Sequence, residues 1–167
     1  MHNPRYLSSV QFDREKVFAS TDLADVISKS ELVIIATPSA FLMDVFGERD
    51  NSDLGDKIIF SAVKGIVPEV HQIPARFFHK KFETPYERIG IISGPCHAEE
   101  VALERLSYLT MACQNQDLAQ DIANLFQCRY INTSISDDLF GTELSAILKN
   151  IYAVAAGIFH GLSYGDN

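Results

Sequence analysis

One lysine lies inside the longest apolar stretch of the sequence. Lys149 is the only residue between Leu144 and Phe159 that is charged at neutral pH. Complete burial lowers the pKa of a lysine by up to ~3–5 units, because the charged form loses its water. Such a lysine can exchange a proton near neutral pH. Two interpretations stay open: Lys149 transfers a proton in a crevice, or its flexible stem carries the ammonium group into water.

Two glycine turns offer further groups that could bind an anion. Lys64 and Gly65 follow the apolar segment 57–63, and Gly94 follows the apolar segment 88–92. Ligands of open α/β sheets bind beyond the carboxyl ends of the strands, where a lysine before a glycine suits a phosphate or a carboxylate. The free N–H groups of a helix that starts after Gly94 would add to such a site. A surface lysine before a turn, and a turn without a ligand, are the simpler alternatives.

Cysteine and histidine usage gives little support for nucleophilic or metal chemistry. Cys96 and His97 are adjacent, but neighbouring side chains rarely face each other productively and no third group orients them. The three cysteines are an odd number without metal-type spacing, and the histidines form no H-x-x-x-H pair. We therefore expect a reducing cytoplasmic setting and no metal.

The elements that must position these residues alternate along the chain. Continuous apolar runs predict strands covered on both faces, and amphipathic segments between them predict helices. Alternation of this kind is typical of a mostly parallel α/β sheet covered by helices. We expect strands at 17–20, 32–36, 57–63, 88–92, 108–113 and 129–132, and helices at 22–29, 39–46, 73–82, from about 97, at 115–126 and at 142–160.

The last helix differs from the others in having no charged face. One side carries large apolar residues from Leu144 to Leu162 at helical spacing, and the other carries small residues around Lys149. We expect both sides to be buried, which a lone helix cannot achieve. The sequence thus predicts a boundary near 134–138 and a chain that continues beyond residue 167, with one domain at 1–135 and the beginning of another at 136–167.

Composition narrows the classes of partner. The chain of 167 residues is 47% hydrophobic, enough for a packed core, and its net charge of −8 argues against nucleic acid as a partner. No charged-then-apolar leader is visible, and no apolar run approaches the ~20 residues that span a bilayer. We expect a cytoplasmic protein without membrane insertion.

Three motifs resemble those of one family, the bacterial soluble NAD(P)-dependent sn-glycerol-3-phosphate dehydrogenases. They are the segments 62–65 (AVKG), 94–102 (GPCHAEEVA) and 143–157 (ELSAILKNIYAVAAG). The resemblance implies an incomplete Rossmann-type, doubly wound, mostly parallel sheet, followed by the first long helix of an all-α C-terminal domain. It also implies interconversion of sn-glycerol 3-phosphate and dihydroxyacetone phosphate with NAD or NADP, in support of glycerophospholipid synthesis, and a possible homodimer.

The resemblance assigns roles residue by residue. Lys149 matches the catalytic lysine that moves the proton of the substrate C2 oxygen, and Lys64 matches a lysine that contacts both substrate and cofactor. The other matched positions are substrate contacts at Gly94, Cys96 and Asn150 and cofactor contacts at Phe41 and Ala98.

The sequence departs from the family pattern in several places. It contains no G-x-G-x-x-G, the loop that holds the cofactor pyrophosphate, so we expect an internal piece of a chain about twice as long. Cys96 replaces a residue whose side chain is more often a hydroxyl or an amide, and His160 stands where Asp is common.

Two alternative functions stay open: a related two-domain dehydrogenase acting on another small acid, and a non-catalytic fragment. The choice between NAD and NADP also stays open.

Overall fold

The computed structural model describes residues 1–164, in which five strands form one sheet. Neighbouring strands pair in parallel except for β3 and β4, which are antiparallel, so the predicted mostly parallel α/β sheet is confirmed. The strands follow the chain in spatial order: β1 (Leu32–Ile35), β2 (Ile58–Ser61), β3 (Ile89–Ser93), β4 (Ser107–Cys113) and β5 (Ile131–Ser136). The α-helices are α1 (Leu23–Ser28), α2 (Leu42–Phe46), α3 (Asn51–Leu54), α4 (Pro74–Phe82), α5 (Ala98–Ala102), α6 (Gln116–Phe126) and α7 (Leu139–Gly161).

Side-chain caps start three of these helices. Asp22 accepts a hydrogen bond from the backbone of α1, Asn115 from that of α6, and Asp138 from the Gly141 N–H of α7 at 2.8 Å. Each carboxylate or amide oxygen satisfies an N–H group that has no partner inside its helix. The helices predicted at 22–29 and 115–126 therefore begin where expected, and the helix predicted from 142 begins three residues earlier, at Leu139.

The helices cover both faces of the sheet. On one face α2, α3, α4 and the first turn of α7 enclose the larger core, in which the Phe46 ring meets the rings of Phe78 and Phe82 edge to face. On the other face α6 packs Ile122 and Ala123 against β4. Burial on both faces explains the apolar runs of β2 and β3, the central strands in which almost every residue is buried.

One local prediction is wrong, and one short helix was not predicted. The segment 17–20 is not a strand, and its Phe18 side chain is 78% exposed. No strand of residues 1–164 pairs with it, and an apolar run without a hydrogen-bonding partner gains nothing from the extended form. The short helix α3 was not anticipated, because its four residues are too few to show a helical period.

The described residues do not bury the last helix on both sides, in agreement with the inference that a helix of this pattern cannot bury both sides by itself. In α7, the buried residues among those described are Leu139 and Glu143. The apolar residues beyond them are largely exposed, with Ile151 at 61% and Ile158 at 57%. The first turns pack on the sheet, while the described residues supply no element that covers the rest.

By length and composition alone, α7 could cross a membrane. It has 23 residues and a mean hydropathy of 1.2, so the expectation that no apolar stretch is long enough does not hold by this measure. The core helix of a soluble protein passes the same test. Ionisable residues are costly at membrane depth, and α7 carries both Glu143 and Lys149. The absence of membrane insertion stays a prediction.

Candidate functional site

A cavity of about 260 Å³ lies where β2 and β3 end. β2 runs into Lys64, and β3 runs into the Gly94 turn, because parallel strands present their carboxyl ends at one edge of the sheet. The antiparallel β4 and the parallel β5 then return the chain to the opposite edge, from which α7 crosses back over the sheet. The cavity is lined by Lys64, Ser93, Gly94, Pro95, Cys96, His97, Ser145, Ala146 and Lys149.

Gly94 is held in a conformation that side chains rarely adopt. Its φ angle is +134°, and a Cβ atom there would overlap the Tyr108 carbonyl oxygen on β4. Glycine therefore lets β3 end tightly against the neighbouring strand. The turn places its backbone on the cavity wall, followed by Cys96 and His97 ahead of α5.

Gly65 brings a second turn close to the first. A Cβ atom at Gly65 would overlap the hydroxyl of Ser39, which begins the 3-10 turn Ser39–Phe41 after β1. The absence of a side chain thus allows the loops that follow β1 and β2 to touch. Lys64, immediately before this contact, extends into the cavity wall.

Two lysines from distant parts of the sequence share the cavity. Lys64 follows a strand and Lys149 lies on α7, and no acidic residue is among the described residues that line the space. The electrostatic balance therefore favours an anion. Both lysines are exposed, so the described residues do not desolvate Lys149, and its ammonium group can reach water while the residue lines the cavity. The exposure follows from the uncovered outer face of α7.

Cys96 and Ala98 lie on a neighbouring cavity of about 670 Å³. Cys96 lines both cavities, and the N-terminal segment supplies Leu7, Ser9 and Val10 to the second. This segment is tied to α5 by the Tyr6 hydroxyl, which donates a hydrogen bond to the Glu99 carboxylate. That bond raises the pKa of Tyr6 and lowers the pKa of Glu99.

Two of the matched positions lie outside these cavities. Phe41 ends the 3-10 turn after β1, and its side chain is 53% exposed. Asn150 is exposed on α7 next to Lys149 and is not part of either cavity wall. The structure therefore brings together Lys64, Gly94, Cys96 and Lys149, with Ala98 adjacent, and leaves Phe41 and Asn150 apart.

Glu143 is a buried carboxyl group to which sequence reasoning assigned no role. Its side chain is fully buried, and both carboxylate oxygens accept from the Ala75 N–H, at 3.2 and 3.3 Å. Burial raises the pKa of Glu143 to about 7, against a smaller lowering by the hydrogen bond from Ala75. The available signal was its position: an acidic residue on the otherwise apolar side of a helix needs a partner.

The fold and the cavity define a class of protein. A doubly wound, mostly parallel sheet with a cavity beyond its carboxyl edge, followed by the first helix of an all-helical domain, is a Rossmann-type arrangement. The chain belongs to the NAD-dependent glycerol-3-phosphate dehydrogenase family: residues 1–119 match the model of its N-terminal part, and residues 138–167 match the model of its C-terminal part.

Named relatives agree with this assignment. The chain is 34% identical over 170 residues to glycerol-3-phosphate dehydrogenase [NAD(P)+] of Lysinibacillus sphaericus, covering 100% of this chain and 50% of the relative. It is 33% identical over 154 residues to the protein of the same name from Exiguobacterium, covering 92% of this chain and 45% of the relative. The chain thus spans about half the length of the curated relatives it matches.

Solved structures show the same architecture. Glycerol-3-phosphate dehydrogenase from Coxiella burnetii superposes with a TM-score of 0.75 at 25% identity, over 87% of this chain and 44% of that one. The Plasmodium falciparum protein gives a TM-score of 0.76 at 24% identity, over 86% and 40% respectively. The second likeness shows the fold alone.

Proposed function

We propose that this chain supplies the catalytic midsection of an enzyme that interconverts sn-glycerol 3-phosphate and dihydroxyacetone phosphate. The observation that carries the proposal is the shared cavity, which Lys64 and Lys149 line together with the Gly94 turn. Two cations beside a strand-end turn suit a phosphorylated substrate. The two relatives described above are named for the NAD(P)-dependent dehydrogenation of glycerol 3-phosphate.

Lys149 acts on the alcohol proton. A bound NAD(P) would supply the hydride acceptor for the C2 hydrogen. In the oxidation direction the Lys149 amine takes the proton of the C2 hydroxyl. In the reduction direction the ammonium group returns that proton to the C2 oxygen. A general base must lie within hydrogen-bond reach of its proton, and the position of Lys149 on the cavity wall allows this.

The remaining matched residues hold the substrate and the cofactor. Lys64 contacts both, and the Gly94 turn contacts the substrate through its backbone. Cys96 contributes mainly through its backbone N–H, since a thiol is a weak donor. Asn150, next to Lys149, is a substrate contact that requires a rotation of its exposed side chain or a further element over α7.

NAD or NADP would be held at the carboxyl edge of the sheet. Lys64 and Ala98 would contact it, and Phe41 would pack near it. These residues follow β1, β2 and β3, which end at one edge, as cofactor-binding positions in such sheets do. We place the division between the cofactor domain and the helical domain at residues 135 and 136, at the end of β5 and two residues before the Asp138 cap of α7.

The wider setting follows from the reaction. Glycerol 3-phosphate is the backbone of glycerophospholipids, so the enzyme would feed their synthesis. Three free cysteines fit a reducing cytoplasm. A homodimer is possible through the helical domain, in which α7 leaves a broad apolar face uncovered.

The test is the oxidation of sn-glycerol 3-phosphate by the protein as its gene encodes it, followed by nicotinamide absorbance. Lys149→Ala should lower turnover by at least about 10²-fold, the usual worth of a general base, while NAD(P) affinity changes little. Lys29→Ala is the matched control, because Lys29 pairs with Asp25 on α1 and lines neither cavity. Near-normal turnover in Lys149→Ala would reject the assigned role.

The alternative is that the chain by itself is a non-catalytic fragment. The uncovered side of α7 and the missing G-x-G-x-x-G favour this for the 167-residue chain taken alone. Titration of that chain with NADH, followed by nicotinamide fluorescence, should then show weak binding or none. Tight NADH binding would contradict the fragment hypothesis.

A further inference from the structure

We propose that Glu143 is the positioning residue that fixes α7 on the sheet, so that Lys149 lies beside Lys64 and the Gly94 turn. The proposal rests on the proposed function only in treating Lys149 as the group that must be positioned. Its evidence is a contact outside the cavity, between α7 and the beginning of α4.

The beginning of α4 lacks a cap of its own. Ile73 precedes the helix and gives no side-chain hydrogen bond, and Pro74 has no N–H group. The Ala75 N–H is one of the donors that find no partner inside the helix. Glu143, 68 residues later in the chain, accepts from it with both carboxylate oxygens. The cap of α4 is thus supplied by α7.

This contact is the last fully buried anchor of α7 before Lys149. Leu139 and Glu143 are the buried residues of this helix among those described. Leu139 packs in the apolar core, where contacts are non-directional and permit rotation of the helix about its axis. The hydrogen bond from Ala75 is directional, so it sets the rotation as well as the position of α7.

Helix geometry connects Glu143 to the cavity. Six residues separate Glu143 from Lys149, a rise of about 9 Å, and place the two side chains about 120° apart around the helix axis. With Glu143 bonded to α4, Lys149 lies on a different side of α7, and that side lines the cavity together with the Gly94 turn. The intervening Ser145 and Ala146 line the cavity, as this arrangement requires.

Because Glu143 is a buried acidic residue, losing its hydrogen bond with Ala75 would be energetically costly. A carboxylate at a helix N-terminus interacts favourably with the helix dipole, and α4 provides that terminus. A buried acceptor without its donor is costly, so loss of the contact would displace the Glu143 side chain and with it the adjoining turn of α7. Lys149 would then move away from Lys64 and the Gly94 turn on the cavity wall.

The experiment compares two substitutions of similar size in the protein as its gene encodes it. Glu143→Gln retains an oxygen that can accept from Ala75, whereas Glu143→Leu does not. The readout is the yield of a Lys64–Lys149 cross-link with a short amine-reactive reagent, measured by mass spectrometry and normalised to single labelling of each lysine. We expect Glu143→Gln to stay within about twofold of the unsubstituted protein and Glu143→Leu to fall at least fivefold.

Ile122→Ala is the control for general loss of stability. Ile122 is buried under α6 on the other face of the sheet, so its truncation should destabilise the fold and leave the cross-link yield unchanged. An unchanged yield in folded Glu143→Leu would overturn the proposal. So would an equal loss in Ile122→Ala.

A second measurement decides the question if Glu143→Leu does not fold. The Ala75 amide should exchange with solvent deuterium at least tenfold more slowly than an exposed amide, in both the unsubstituted protein and Glu143→Gln. Free exchange at Ala75 would overturn the proposal. Neither readout requires catalytic turnover. Full activity in Lys149→Ala would therefore reject the proposed function, while this inference would still be judged by the cross-link and the amide exchange.

Discussion

At the scale of the residue, the candidate site depends on positions where a side chain is absent. Gly94 has a φ angle of +134° and leaves no room for a Cβ atom beside the Tyr108 carbonyl. Gly65 similarly makes room for Ser39. These two contacts hold the strand-end loops close enough for Lys64 and the Gly94 turn to share one wall. The cations contribute charge, and the glycines set where that charge lies.

Gly94→Ala should destabilise the protein by about 2–4 kcal/mol, because it adds both backbone strain and steric overlap. The measurement is the free energy of unfolding in urea. Gly157→Ala is the matched control, because no atom of residues 1–164 lies within 4 Å of a Cβ atom at this position on α7. It should stabilise the protein by roughly 0.5–1 kcal/mol through helix propensity. Equal effects of the two substitutions would contradict the assignment of strain to Gly94.

At the scale of the element, the placement of α7 depends on its beginning. Asp138 caps the helix, Leu139 enters the core and Glu143 caps α4, all within the first turns. Beyond them the helix is largely exposed. A small change in direction at the start of a long helix causes a larger displacement further along it. These few contacts therefore control where Lys149 lies.

Asp138→Ala should cost about 1 kcal/mol, the usual worth of a side-chain cap, because the Gly141 N–H loses its acceptor. The free energy of unfolding in urea measures this loss. Asp137→Ala, at the exposed preceding residue, removes a carboxylate that takes no part in the cap and should change stability by less than about 0.5 kcal/mol. If both substitutions cost the same, net charge rather than capping would explain the effect.

At the scale of the whole molecule, one buried carboxyl joins two halves of the chain. Glu143 connects α7 to α4, and α4 packs against β3, which ends at the candidate site. The pKa of Glu143 is raised by burial from 4.5 to about 7. The folded protein therefore binds a proton that the unfolded chain has already released between these two values.

Stability should accordingly fall as pH rises. Between pH 4.5 and 7 the folded state binds more protons than the unfolded state, so the free energy of unfolding decreases with pH. The stabilisation is complete below pH 4.5 and is lost as pH passes about 7, amounting to about 3 kcal/mol from the two pKa values.

Urea unfolding from pH 4 to pH 8.5 measures this dependence, with Glu143→Gln as the control. Since glutamine does not titrate, the stability difference between the two proteins should grow in favour of Glu143→Gln as pH rises. Parallel stability profiles would show that Glu143 does not titrate in this range.

The sequence by itself determined the elements and the identity of the candidate chemistry. Apolar runs predicted β1 to β4, helices were predicted from 22 and from 115, and the motifs around Lys64, Gly94 and Lys149 indicated the family. The prediction at 129–132 only overlaps β5. These signals are local: apolar runs, caps and turn residues each span a few residues. The segment 17–20 fails for the same reason, because a strand also needs a partner that its own residues do not specify.

Only the tertiary structure decided how these parts meet. The antiparallel pairing of β3 and β4 turns the chain so that α7 returns across the sheet and brings Lys149 to Lys64. The exposure of Lys149 and the hydrogen bond between Glu143 and Ala75 likewise depend on residues far apart in the chain. Periodicity and spacing describe one segment at a time, whereas desolvation and charge at a site are set by every element packed around it.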